Sequence, residues 1–180
     1  MSDRGSQLDL ALLMTMDRCP SQENIAALLN NIASHRTPSA LVDEWPGYLI
    51  AYRNLVGRFP KLVPHLIPLL LEIADNPDYR GKWWAISLVM VTNETDWGDV
   101  FRDGELGQQI RSAFVAGVPV YLRHLVDPDP MTRTAVACAL GESGSPEALA
   151  ALTERLPQEA DAEVQRWIRI SLAGSRFNRI

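Results

Sequence analysis

The sequence predicts an all-α chain, an α-α superhelix (solenoid) of about four to five helical hairpins. Three observations carry this. First, one pattern occurs twice: DPDPMTRTAVACALG opens at Asp127 and EADAEVQRWIRISLAG opens at Glu159. Laying Asp129 on Asp161 places Val136 on Ile168, Leu140 on Leu172 and Gly141 on Ala173, a shift of 32 residues. Second, the span between the copies, Ser145 to Leu156, has the spacing of another amphipathic helix. Third, Leu and Ala dominate the composition and strictly alternating β-branched runs are scarce, which favours helix over strand.

At 180 residues the chain fits one compact domain or a short run of stacked repeats. Its formal net charge of −5 argues against general duplex binding, which needs a basic surface to release counterions from phosphate. Cys19 and Cys138 are far apart and read as small apolar residues in reducing cytosol rather than a disulfide or metal pair. The apolar run Leu8–Met16 is broken by Asp9, lacks a basic flank and meets Asp17, so it does not read as a secretory signal. No apolar run approaches the ~20 residues of a membrane span. A bacterial-type cytoplasm is the expected setting.

Taken in order, residues 1–6 are polar and expected to fray. Gln7–Met16 is expected as a first helix, with Leu8, Leu12 and Met16 on one side. Ser21 is placed to cap a helix through Ser34, along which Ile25, Leu28, Leu29 and Ile32 form the buried stripe. From Thr37 to Pro46 a less regular connection is expected. Gly47–Arg58 returns to helix and Pro60 ends it. Lys61–Ala74 is apolar nearly all round, as a central helix would be, with Pro64 and Pro68 marking a start or a kink. Asp75–Asp78 reads as a turn and Arg80–Thr92 as the partner helix.

That hairpin repeats later as well: Pro68 on Pro119 sets Asp78 on Asp129, Lys82 on Arg133 and Val89 on Leu140, a shift of 51. The surplus over the shorter period falls at 93–109, an insertion of a length that is usually functional or disordered. Helix resumes near Leu106 and runs to about Val126, with a bend or two abutting segments expected at Gly117 and Pro119. Pro130–Gly141 and Asp161–Ala173 are the last second-helices. Ser145-Pro146-Glu147 opens the helix between them with a cap, a proline at the first position and an acid near the positive end. The tail Ser175–Ile180 is expected to fold back over the last helix. Residues 1–60 thus read as irregular helices capping the solenoid and 61–180 as the repeats, in one domain overall.

From Asp127 onward the chain resembles HEAT and HEAT-like repeats of the armadillo type. Asp127, Asp129, Arg133, Val136, Ala137, Leu140 and Gly141 stand where those repeats carry an acidic turn, an arginine, an Ala-rich helix and Leu-Gly. The second copy keeps Val164 but puts Gln165 in the arginine's place, with Arg166 one residue later. That departure argues against a regular Asp–Arg ladder between repeats.

The resemblance implies that the second helix of each hairpin faces the concave side. Two columns then point away from the core: Thr134 with Trp83 and Arg166, and Ala135 with Trp84 and Trp167. Trp84 and Trp167 are expected to form an aromatic ridge that anchors a partner, with Trp83, Arg133, Arg166 and Arg169 beside it. The alternative is that these rings lie along interhelical grooves as packing. The insertion is the second candidate: Glu94, Asp96, Trp97 and Asp99 suit docking onto a basic protein, unless Trp97 and Phe101 tuck back into the core.

No metal and no cofactor are expected. His35, His65 and His124 stand alone, without the His-Glu pairs of the iron-binding HEAT hydroxylases, and no glycine-rich phosphate loop occurs. A chromophore pocket of the phycobilin-lyase kind cannot be identified. The expected function is therefore a non-enzymatic protein–protein interaction module, in its sharpest form an immunity or antitoxin-like protein that sequesters a basic partner. The alternative is a HEAT-like DNA glycosylase or other nucleic-acid-binding HEAT protein, for which Arg166, Arg169, Arg176 and Arg179, all after the last acid Glu163, supply a basic C-terminal end.

Overall fold

A computed structural model describes residues 21–93 and 104–174. The expected first helix at Gln7–Met16, most of the insertion and the tail from Ser175 lie outside these. Among the described residues there is no strand, and the chain is all-α, built of packed helical hairpins. It divides into two compact units, Met1–Ala113 and Phe114–Ile180.

In the first unit, α1 (Gln22–His35) is capped by Ser21, whose hydroxyl accepts from the Asn24 N–H at 3.2 Å. α2 (Pro38–Arg58) corrects the expected connection, because residues 38–46 are helix and continue through Pro46. Thr37 caps it, accepting from the Ala40 N–H at 3.2 Å, and Pro38 fits the first turn, where its missing donor costs nothing. Pro46 forfeits one backbone bond. What holds the helix across it is burial of Leu41 on one side and Tyr48, Tyr52, Leu55 and Val56 on the other. A hydrogen-bonded cluster adds to this: Arg36 Nε and Tyr48 Oη both donate to Glu44 Oε2, at 3.0 and 2.7 Å.

A 3₁₀ turn at Pro60–Leu62 leads into α3 (Val63–Asp75). Val63, Leu66, Ile67, Leu70, Leu71, Ile73 and Ala74 are all buried, as the apolar composition required of a central helix, and Pro68 sits on the exposed side. α4 (Lys82–Asn93) packs against α3 and α2. Gly81 precedes it where Leu41 and the Tyr79 ring occupy the space a Cβ would need. α5 (Glu105–Ala116) begins where helix is expected near Leu106 and takes in residues 105–109 of the expected insertion.

In the second unit the expected break at Gly117 is present, and α6 (Val118–His124) begins immediately after it. α7 (Pro130–Ser143) is the hub, packing on α6, on α8 (Pro146–Arg155) and on α9 (Ala162–Leu172). The repeat is visible in its caps: Asp129 accepts from the N–H groups of Met131 and Thr132, and Asp161 from those of Glu163 and Val164. Ser145 caps α8 as expected, accepting from the Ala148 N–H at 3.1 Å. Gly144 ends α7 in the left-handed region at φ 59°, which glycine adopts without a Cβ penalty. Gly141 lets α9 approach closely, since a Cβ there would stand 2.5 Å from that of Ser171.

Candidate functional site

The most strongly held polar cluster joins the two copies of the repeat. Glu159 is the counterpart of Asp127 under the 32-residue shift, and its carboxylate is buried. Arg133 grips it with both edges, Nε to Oε2 and Nη2 to Oε1, each at 2.9 Å. Arg155 Nη2 donates to Oε2 at 2.8 Å and the Asp161 N–H to Oε1 at 2.9 Å. Burial alone would push this carboxyl up. The bonds from Arg133, the Asp161 backbone and Arg155 outweigh that and hold it down at about 2.

Arg133 also donates through Nη1 to the carbonyl of Asp127 at 2.8 Å, closing its own turn. It was expected as a partner contact; instead its side chain is 12 % exposed and committed to Glu159. Gln165, in the equivalent place, keeps only the backward half of the pattern, donating to the Glu159 carbonyl at 2.6 Å. The substitution expected to break the ladder thus leaves one forward rung, from Arg133 to Glu159.

The aromatic column divides. Trp84 is 0 % exposed and Trp83 is 6 % exposed, so the ridge expected there is absent and neither indole can anchor a partner. Trp84 meets Tyr48 edge-on, with ring centroids 5.8 Å apart, and Trp83 meets Trp45 at 5.5 Å. The reason lies in helix geometry. At 100° per residue the column sits beside the core stripe rather than opposite it, and in α7 even its small member, Ala135, is buried. In unit 1 the large rings fill the interior between α2 and α4.

Trp167, in the same column, remains half-buried on α9. Its Nε1 donates to Glu163 Oε1 at 2.8 Å, and the Arg166 guanidinium lies 5.6 Å from the ring centroid. Arg166 and Arg169 are exposed; Arg166 Nη1 donates to Glu163 at 2.9 Å and Arg169 Nη2 to Gln165 Oε1 at 2.9 Å. These three residues form the part of the expected surface that the fold brings together. Glu94, Asp96, Trp97 and Asp99 of the insertion lie outside the described residues.

Unit 1 contains a feature that sequence reasoning missed. A cleft of about 600 Å³ opens between the C-terminal parts of α1 and α3 and the turn that follows α3. Glu72, Asp75 and Asp78 line it together with Asn30, Ser34 and Tyr79, and none of its described lining residues is cationic. α1 and α3 end beside it, at His35 and Asp75, so the negative ends of the two helix dipoles add to the charge of the acids. Among the described residues no group of three His, Cys, Asp or Glu side chains converges closely enough to hold a metal ion. The turn sequence Asp75-Asn76-Pro77-Asp78 was the only local signal; its pairing with α1, some 40 residues earlier, was not readable from spacing.

Residues 104–173 match the family model described as HEAT repeats, and this stretch of the chain is of HEAT-repeat type. No curated protein and no solved structure matches the chain. Among the described residues no helix is long and apolar enough to cross a membrane.

Proposed function

We propose that this chain is a non-catalytic protein-interaction module whose partner presents a basic surface, and that the carboxylate-lined cleft of unit 1 receives it in the cytoplasm. The observation that carries the reading is the cleft itself: Glu72 and Asp78 on its wall, two helix C-termini beside it and no cationic side chain among its described lining residues. The HEAT-repeat stretch supports it, since such repeats typically serve protein interaction. The narrowest form is an immunity or antitoxin-type protein, favoured by small size and a net charge of −5. Charge of this kind sets on-rate and specificity more than affinity.

The test is binding of a fluorescent arginine-rich peptide by anisotropy, comparing wild type with Glu72→Lys/Asp78→Lys. Glu147→Lys/Glu154→Lys, on the exposed side of α8, makes the same charge change elsewhere. The reading requires the cleft variant to lose affinity by about tenfold or more while the α8 variant stays within a few-fold of wild type. Equal losses in the two variants would reduce the effect to net charge and remove the cleft from the account. Salt-sensitive retention on duplex DNA through Arg166 and Arg169 would support the nucleic-acid alternative instead.

A further inference from the structure

α7 and α9 are copies of one helix, so their faces can be compared residue by residue. α9 meets α7 at Gly141, which touches Ser171, and Ala137 and Cys138 lie one turn earlier on the same side of α7. Shifted by 32, the same face of α9 carries Arg169, Ile170 and Ala173, with Arg166 in the place of Thr134. All four are exposed, Ile170 at 43 %. The side of the helix that meets its neighbour at Gly141 in one repeat is thus exposed in the other, and its small residues are replaced by two long cations with Ile170 beside them. Each guanidinium has five N–H donors and spends few of them on its own helix, so both keep donors for another surface.

From this complementarity we infer that α9's open face docks into the acidic cleft of a second copy of this chain, so that molecules associate head to tail. The inference rests on the reading of the cleft as a receptor for cationic side chains and names the α9 face as one source of them. Arg166 and Arg169 lie one turn apart with Ile170 beside them, while Glu72, Asp75 and Asp78 belong to one helical end and its turn, so each surface presents a local cluster of one sign. The two faces are different patches, which makes the contact heterologous, and such contacts grow into open chains or close into rings.

The experiment is sedimentation velocity of the full chain over a concentration series, at ionic strengths of about 0.01 M and about 1 M, where the screening length falls roughly tenfold. Wild type is expected to sediment as concentration-dependent species larger than a monomer at low salt and as a monomer at high salt. Arg166→Glu/Arg169→Glu and Glu72→Lys/Asp78→Lys should each be monomeric alone at low salt. Mixed together they should associate, because each then offers the charge the other lacks. A wild type that stays monomeric at low salt, or a mixture that fails to associate, overturns the inference. If that monomer still binds the arginine-rich peptide through the cleft, only self-association has failed; if cleft-dependent peptide binding is also lost, the functional reading has failed with it.

Discussion

Replacing Glu159 by Gln removes one charge and almost no volume from the centre of the clamp between Arg133 and Arg155. The carboxyl is held from an ordinary 4.5 down to about 2 in the folded chain. Each unit of difference between folded and unfolded states is worth about 1.4 kcal/mol, so the ionised form contributes about 3 kcal/mol at neutral pH. That figure agrees with the roughly 3–5 kcal/mol typical of removing one member of a buried ion pair. Because the folded value is the depressed one, the stabilisation is complete above 4.5 and is lost as pH falls through about 2. Urea denaturation followed by circular dichroism should show Glu159→Gln less stable than wild type by about 3 kcal/mol at pH 7. The gap should shrink to about 1 kcal/mol at pH 3 and close below pH 2. A gap under about 1 kcal/mol at pH 7, or one that acid leaves unchanged, would refute the reasoning, because the two guanidiniums would not depend on that charge.

Other expectations test neighbouring parts of the account. Trp84→Ala should destabilise by about 3–5 kcal/mol in thermal or urea denaturation, as for a buried aromatic, whereas Trp167→Ala should cost about 1 kcal/mol or less. Equal costs would contradict the division of the column into a packed and a surface member. Gly141→Ala should lose roughly 1–3 kcal/mol through the clash with Ser171, offset by up to about 1 kcal/mol of helix propensity. Combining it with Ser171→Gly should recover part of the loss in a double-mutant cycle. Tyr52→Phe should be neutral or stabilising by denaturation, since the Tyr52 hydroxyl is buried with no hydrogen-bond partner among the described residues and burial pushes its pKa up. A loss above about 1.5 kcal/mol would mean that the hydroxyl is satisfied in solution.

Local signals revealed much of the fold. The caps at Ser21 and Ser145, the break at Gly117 and the apolar stripe of α1 all depend on residues within a turn or two of each other. The start of α2 did not, because Pro46 reads as a stop. Burial of residues on both sides of it, and the bonds of Glu44 to Arg36 and Tyr48, override that signal. The binding surface was less legible for the same reason. Whether Trp84 faces solvent is decided by α2, which contributes Tyr48, and Arg133 is removed from the surface by an acid 26 residues away. The cleft needed α1 beside α3, a juxtaposition no spacing encodes. Arg166, Trp167 and Arg169 were readable because they lie within one turn of a single helix, as a helical repeat dictates.

The central claim, that the cleft of unit 1 receives a cationic protein surface, is tested most directly by mapping where one lands. In a titration of isotope-labelled protein with the arginine-rich peptide, followed by amide chemical shifts, the account predicts saturable changes concentrated at 30–34 and 72–79. Changes scattered over acidic residues of both units without saturation, or centred on a different element, would contradict it.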